Sequence, residues 1–292
     1  SHPVLFRTRK EIYEFIEANR SNYSLAVMCR VYGVSPRSYY SWLERGKSLR
    51  AVEDQLLLKR IVHEFDKSEQ IYGSPKIYKE LKKQGIAVSE KRVARLMREN
   101  GLKAKKSRIY RSRPGTQRFY TGIPNIIWNQ EVTAANQVWV GDITYLKVNE
   151  EWRYLAVVLD LFSRKVIGWA LGKRKSVSLT TKALRRAVKR RGLHPGLIFH
   201  SDRGIEYGAF EYRELLDTYG IRQSMNRVGV MNDNVYIESF FHQFKTERIK
   251  TKEFSSDWTL RRTIQLYMKW YNEIRSHSSI GYLSPVEYEC SI

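Results

Sequence analysis

The 292-residue sequence is poor in the residues that cross-link small folds or bind structural zinc. It has two cysteines, Cys29 and Cys290, which stand near opposite ends and match neither a disulfide framework nor a zinc-binding spacing. Each is therefore predicted to be a buried thiol. The six histidines are scattered without an i, i+4 pair, and no Ser-His or Cys-His arrangement for nucleophilic catalysis is evident.

Long apolar runs are also missing, since no window approaches 18 consecutive apolar residues. The first ten residues already turn charged, so no secretory signal is expected. These features predict a cytoplasmic, nucleoid-associated bacterial protein with no membrane partner. The length and a hydrophobic content of 42% suit two or three domains with buried cores.

Acidic residues are scarce relative to basic ones, and the formal net charge is +22. Residues 1–130 carry +15 of this charge and the remainder carries +7. Between 101 and 120 there are seven basic residues and no acidic one: Lys103, Lys105, Lys106, Arg108, Arg111, Arg113 and Arg118. Such density predicts binding to nucleic acid phosphates with a steep dependence on salt.

The first predicted domain, residues 1–48, is a helix-turn-helix. Gly33 allows a tight turn, Ser35 can cap the next helix, and Pro36 suits its first position. That helix is expected to bury Tyr39 or Tyr40 with Leu43. It would present Arg37 and Ser38 to DNA, although an ordinary helical hairpin fits the segment equally well.

The second predicted domain, residues 49–102, repeats this organisation. Its long first helix is expected to bury Val52, Leu56, Ile61, Val62 and Phe65. Ser89 caps a basic third helix that is expected to expose Lys91, Arg92, Arg95 and Arg98, and of these Arg92 and Arg95 are predicted to reach DNA. A plain surface helix is the alternative. Residues 103–136 form a predicted basic linker.

The pattern changes at residue 137, where three β-rich runs are joined by short polar turns, one of them at Asn149-Glu150. A helix, a strand, a helix, a short strand and a further helix follow. This order predicts an α/β fold with a mixed sheet over residues 137–255. A helical closing segment is expected over 256–292.

Three carboxylates stand out in this region: Asp142 in VWVGDITYLKV, Asp202 in IFHSDRGIEY and Glu238 in MNDNVYIESFFHQF. Asp142 lies on a strand face that otherwise looks buried, and Asp202 ends a strand where open sheets place ligands. Glu238 lies on a helix whose same face carries Lys245. Acids gathered in so basic a chain predict a site for divalent cations that acts on phosphodiesters.

These motifs resemble those of the DDE transposases of the insertion sequence 3 family, whose relatives include retroviral integrases. GDITYL, HSDRGIEY and NDNVYIESFFHQFKTE carry the resemblance, with 35 residues between Asp202 and Glu238 and a lysine seven positions after Glu238. IYGSPKIYKEL resembles the integrase-associated helix-turn-helix. MCRVYGVSPRSYYSWLER resembles the start of the second reading frame, and YNEIRSHSSIGYLSPVEYE the closing motif.

The resemblance implies an RNase H-like integrase catalytic core preceded by all-helical DNA-binding domains. It implies that Asp142, Asp202 and Glu238 bind two Mg²⁺ ions (or Mn²⁺), and that Lys245 contacts DNA phosphate. The implied reaction is 3′-end cleavage followed by strand transfer, in copy-out-paste-in transposition, by protomers assembled on transposon ends and target DNA. Two alternatives stay open: a DNA-binding regulator with an inactive core, and a nuclease that cleaves without joining.

Overall fold

A computed structural model describes residue 6 and residues 8–44, 48–105, 122–230, 232–250 and 252–292. None of the helices within these ranges is long and apolar enough to span a membrane.

Three helices form the first helical unit, and they enclose a small aromatic cluster around Tyr13, Ile16 and Tyr39. They are α1 (Arg9–Ala18), α2 (Leu25–Val31) and α3 (Pro36–Glu44). Tyr39 is fully buried, but Leu43 is 43% exposed, and Trp42 packs against the cluster instead. The predicted burial of Leu43 is therefore wrong, because α3 presents the 39/42 stripe to its neighbours.

The second helical unit consists of α4 (Leu49–Lys67), α5 (Ser74–Lys83) and α6 (Glu90–Glu99). Its cluster takes Leu57, Ile61 and Phe65 from α4, while Val52 and Leu56 are largely exposed. The predicted burial of Ile61 and Phe65 is therefore confirmed, Val62 is half-buried, and the predicted burial of Val52 and Leu56 is wrong. The side-chain oxygen of Ser89 accepts a hydrogen bond from the Arg92 amide at 3.2 Å, which confirms the predicted cap of α6.

The core contains one five-stranded mixed sheet in the order β3-β2-β1-β4-β5. The first three strands pair antiparallel, while β4 pairs parallel with both β1 and β5. The strands are β1 (Val138–Val148), β2 (Glu151–Asp160), β3 (Val166–Gly172), β4 (Ile198–Ser201) and β5 (Arg222–Met225). Asn149 has φ of 50° in the tight turn predicted between β1 and β2.

Helices cover both faces of this sheet. One face carries α7 (Val177–Arg191), the short α8 (Ile205–Gly208) and α9 (Phe210–Thr218). The other carries α10 (Val235–Phe244), a π-helical turn at Lys245–Ile249, and α11 (Asp257–Glu273). Phe240, Phe241 and Phe244 anchor α10 in that layer, as predicted.

The C-terminal residues continue this second layer. After a 3-10 turn at Ser278–Ile280, α12 (Pro285–Cys290) ends the fold. Cys29 is buried as predicted, but Cys290 is exposed, because it lies at the end of α12.

The second helical unit contacts the core through this C-terminal segment. The Ser276 amide donates a hydrogen bond to Tyr72 Oη at 2.8 Å, and Arg248 pairs with Glu69. Lys79 lies 5.2 Å from the ring centroid of Tyr282. Polar and cation-π contacts therefore position this unit beside the core.

Candidate active site and DNA-contacting residues

Asp142 and Asp202 lie side by side because their strands are neighbours. The parallel ladder between β1 and β4 ends with Gly141 opposite Ser201, and the residue that follows each of these two is an aspartate. Gly141 permits this pairing, because a Cβ atom there would come within 3.1 Å of Phe199 Cε1. The two carboxylates thus lie just past the end of the parallel ladder, at the carboxyl end of β4, where open sheets bind ligands.

A tight turn holds Asp202. Its Oδ1 accepts a hydrogen bond from the Gly204 amide at 3.0 Å, the aspartate turn that such side chains favour. A Cβ atom at residue 204 would lie 2.9 Å from that same oxygen. A glycine is therefore needed for the turn to close this tightly.

Glu238 enters the site from α10, in the first turn of the helix. Asn234, which precedes α10, donates a hydrogen bond from Nδ2 to the Gly141 carbonyl at 3.3 Å. This contact ties the start of α10 to β1 next to Asp142. Glu238 is exposed to solvent, whereas Asp142 and Asp202 are half-buried.

The three carboxylates influence one another. Burial, the charge of Asp202 and the charge of Glu238 raise the pKa of Asp142 well above its ordinary value. Burial also raises the pKa of Asp202. Desolvation by neighbouring protein atoms, together with the negative charge of Asp202, raises the pKa of the Glu238 carboxyl group. Each carboxylate is thus disfavoured in its charged form unless a proton or a cation offsets the repulsion.

A divalent cation suits these donors. Carboxylate oxygens are the ligands preferred by Mg²⁺ and Mn²⁺. In the described parts of the chain, however, no group of three or more His, Cys, Asp and Glu side chains converges closely enough to hold a metal ion. The predicted triad is therefore an electrostatic cluster whose donor chemistry fits a metal but whose side chains do not meet at a common point.

Lys245 lies between the cluster and an exposed aromatic pair on the β1–β2 hairpin. Its Nζ is 4.3 Å from the ring centroid of Tyr145, and that ring packs edge-on against Trp152. Burial lowers the pKa of Lys245, while the charge of Asp142 acts in the opposite direction. The structure therefore brings the predicted lysine to the acidic site.

Sequence analysis missed Lys175, which also acts on the cluster. Its Nζ pairs with Glu206 Oε2 at 3.1 Å, and its charge lowers the pKa of both Asp142 and Asp202. The only signal was the basic run before α7, which reads GKRKS. Lysine 175 thus supplies a second cation near the carboxylates.

The predicted DNA contacts of the first helical unit lie at the start of α3. Arg37 is exposed, while Ser38 is half-buried. The Ser38 hydroxyl lies 2.8 Å from Ser35 Oγ and donates to the Ser35 carbonyl at 2.8 Å. Ser38 therefore takes part in the local cap, and Arg37 is the residue that projects to solvent.

Arg92 and Arg95 of α6 face α4 rather than solvent alone. Arg92 Nε and Arg95 Nη2 each lie 2.6 Å from a carboxylate oxygen of Asp54. Glu53 and Glu99 take further N–H groups of the two arginines at 3.1 and 2.9 Å. Any contact to DNA would have to compete with these ion pairs.

The linker prediction is only partly within reach of the structure. Lys103 and Lys105 are exposed, and the Lys105 amide donates to the Gln70 carbonyl at 3.0 Å. The other predicted linker contacts lie outside the described residues: Lys106, Arg108, Arg111 and Arg113.

Comparison with known proteins decides the family. Models described as an integrase core domain match residues 132–230 and 219–285, and one described as an HTH-like domain matches residues 52–110. Over 285 residues the chain is 39% identical to "Transposase InsF for insertion sequence IS3A" of Escherichia coli strain K12, which covers 95% of this chain and 98% of the relative. The chain belongs to the insertion sequence 3 family of transposases.

Further comparisons agree with this assignment. The transposase is 36% identical over 264 residues to a Shigella sonnei protein described as "Insertion element IS600 uncharacterized 31 kDa protein", across 89% of this chain and 97% of that one. The predicted family and the RNase H-like class of the core are confirmed.

Among solved structures, the core is similar to the HTLV-2 integrase catalytic core domain in complex with magnesium, at 20% identity and a TM-score of 0.43. That match covers 53% of this chain and 97% of the other. A simian T-cell lymphotropic virus intasome matches at 17% identity and a TM-score of 0.47, over 79% of this chain and 73% of the other.

Proposed function

We propose that this transposase cuts DNA at the ends of its insertion sequence and joins the freed 3′-OH to target DNA. The observation that carries the proposal is the position of Asp142 and Asp202, which follow the last residue pair of the parallel ladder between β1 and β4, within range of the charge of Glu238. Three carboxylates whose charges oppose one another are expected where cations are to be bound.

Asp142, Asp202 and Glu238 would hold two Mg²⁺ or Mn²⁺ ions. Cations bound there would activate the attacking oxygen and stabilise the leaving oxygen of an in-line displacement. The hydrogen bond from the Gly204 amide would keep the Asp202 carboxylate oriented. Lys245, held beside Tyr145, would neutralise charge on a neighbouring DNA phosphate.

DNA would be positioned by the helical units and the linker. We propose that Arg37 approaches DNA from α3, with Ser38 fixing the start of that helix. Arg92 and Arg95 would reach phosphates only through donors that Asp54 does not occupy. Lys103 and Lys105, with the linker residues Lys106, Arg108, Arg111 and Arg113, would add a sequence-independent, salt-sensitive contribution. Two or more protomers would assemble on the DNA.

The test is the variant Asp142→Asn, assayed for Mg²⁺-dependent cleavage of an end fragment. Loss of one ligand should reduce cleavage by at least about 100-fold, since metal ions supply several kcal/mol of transition-state stabilisation. DNA affinity should stay within a few-fold. The matched control is Asp217→Asn, an exposed aspartate of α9, which should cleave normally. Undiminished cleavage by Asp142→Asn would refute the proposal.

The alternative, a DNA-binding regulator with an inactive core, draws support from one observation. The described carboxylates do not converge on a common point. Calorimetry with Mn²⁺ in the presence of DNA separates the two hypotheses. Heat of binding that disappears in Asp142→Asn supports the enzyme, whereas a silent titration of the unmodified protein supports the regulator.

A further inference from the structure

A basic groove runs along the β3 edge of the sheet, between α7 on one face and α11 on the other. Its cavity has a volume of about 580 Å³. Among the described residues, its lining consists of Gly168, Trp169, Gln265 and four cations, with no acidic side chain. The cations that define the basic groove are Arg186, Lys189, Arg190 and Arg261.

Two of these arginines have a structural role at the sheet edge. Arg186 Nη1 donates to the Trp169 carbonyl at 2.7 Å, and Arg190 Nη1 donates to the Val166 carbonyl at 3.4 Å. Both contacts go to carbonyl groups of the edge strand β3, and the Val166 carbonyl also accepts a hydrogen bond from Asn272 Nδ2 at 2.9 Å. Because a guanidinium carries five N–H donors, these contacts leave donors of both side chains able to bind an anion.

The charges in the basic groove repel one another. Burial lowers the pKa of Arg186, and the charges of Arg261 and Arg190 lower it further. In the described ranges, none of the four cations forms an ion pair with a carboxylate, unlike nearby Lys165, which lies 2.6 Å from Glu289. An unpaired set of like charges is stabilised when an anionic ligand binds between them.

Strand register places the basic groove near the acidic site. Asp142 pairs with Val157 on β2, and Val157 pairs with Trp169 on β3. Two strand spacings, about 10 Å in all, therefore separate the Trp169 backbone from that of Asp142. An extended polyanion could contact both places.

We infer that the basic groove binds the phosphate backbone of a second DNA duplex while the carboxylates engage the first. The inference rests on the proposed function, because strand transfer joins two DNA segments that must be held together. A second copy of the chain is a poorer occupant. A two-fold interface formed by this lining would bring together four cations from each copy, with no acidic residue of the described lining to pair with them.

The experiment measures the affinity of the full chain for a short duplex of arbitrary sequence, without Mg²⁺, over a range of salt concentrations. The variant combines Arg186→Gln, Arg190→Gln and Arg261→Gln. The matched control is Arg185→Gln, because Arg185 is an exposed arginine of the same helix outside the groove lining. Each phosphate contact contributes about 0.9 to the slope of log K against log salt, so the triple variant should lose about 2 to 3 units.

A second readout follows joining of a pre-cut end to target DNA in Mg²⁺. The triple variant should join at least about 10-fold less well at subsaturating target, while cleavage of the end changes little. A slope equal to that of Arg185→Gln would overturn the inference. So would a change in oligomeric state, which would identify a second copy as the occupant. Thermal melting of each variant checks that it is folded. A variant with Arg186→Lys and Arg190→Lys keeps both positive charges, so its salt slope should return most of the way to that of the unmodified protein.

Failure of this inference is distinguishable from failure of the proposed function. The binding slopes are measured without catalysis, so they stay interpretable even if Asp142→Asn remains active. Conversely, if Asp142→Asn is inactive but the triple variant keeps its salt slope, the proposed function is supported and only DNA binding by the basic groove is refuted.

Discussion

The buried pair Glu247–Arg275 allows a sharp test of how the helix that carries Glu238 is held. Glu247 lies in the π-helical turn that continues α10, and Arg275 follows α11. Arg275 Nη2 donates to Glu247 Oε1 at 2.6 Å, and Arg275 Nε donates to Oε2 at 3.0 Å. Tyr267 Oη donates to the same Oε2 at 2.8 Å.

Both side chains of the pair are almost fully buried, at 5% exposed for Arg275 and 7% for Glu247. Burial would lower the pKa of Arg275, but the charge and hydrogen bonds of Glu247 outweigh it and raise the pKa. The variant Glu247→Gln removes the negative charge and leaves a buried guanidinium uncompensated. Such a loss costs about 3–5 kcal/mol of unfolding free energy.

At about 2–4 °C per kcal/mol for a chain of this size, the melting temperature of the core should fall by roughly 6–20 °C. Thermal and urea unfolding of Glu247→Gln measure this directly. The control Glu273→Gln breaks an exposed pair, in which Glu273 lies 3.9 Å from Lys269. It should cost no more than about 1 kcal/mol. Cleavage should fall further than the folded fraction does, because Lys245 begins the same π-helical turn.

A loss below about 1 kcal/mol in Glu247→Gln would refute the argument that this pair fixes the end of α10. The double variant Glu247→Leu with Arg275→Met provides a second check. Replacing both charges by apolar groups removes the unpaired guanidinium, so stability should recover substantially relative to Glu247→Gln. Cleavage should recover less if the geometry of the turn matters.

Two further predictions concern packing and pH. Gly168→Ala should lower the free energy of unfolding, measured in urea, by about 1–3 kcal/mol, because its Cβ would lie 2.8 Å from the Ala187 backbone nitrogen. The control is Gly122→Ala, whose Cβ would meet nothing within 4 Å and which should leave stability unchanged. Burial and the charge of Arg275 lower the pKa of Lys76 to about 7, against 10.5 for the free side chain. Between pH 7 and 10.5 the unfolded chain therefore binds more protons than the folded chain, so the free energy of unfolding should rise with pH by a few kcal/mol across this window. In Lys76→Met the free energy of unfolding should depend less on pH over the same range.

Much of the fold and of the acidic cluster could be predicted from sequence because the signals are local. Alternation along 138–144 places Asp142 on a face with Val138 and Val140, and the structure keeps all three on one side of β1. The order of strands and helices after residue 137 is also confirmed. Because the sequence predicts that a strand ends at Asp202, it also places that carboxylate at the carboxyl end of the strand, where open sheets bind ligands.

Errors arose where several faces of a helix were equally apolar. α4 offers Val52 and Leu56 as one stripe and Leu57 with Ile61 as another, and α5 and α6 determine which is buried. Composition within the helix cannot distinguish the two stripes. The same limit explains the wrong prediction for Leu43, because Trp42 packs against the cluster of the first helical unit and Leu43 is exposed.

Charge pairing between distant residues was the larger omission, and it changes the assignment of DNA contacts. Arg92 and Arg95 were predicted to reach DNA because they share a basic helix, but their principal partner, Asp54, stands about 40 positions earlier on α4. Arg186 and Arg261, in contrast, belong to different helices and meet with no described acid between them. A cation tied to a carboxylate loses much of its attraction for phosphate, whereas crowded, unpaired cations gain from it. We therefore expect the location of DNA on this transposase to depend less on where basic residues are dense than on where they lack an acidic partner.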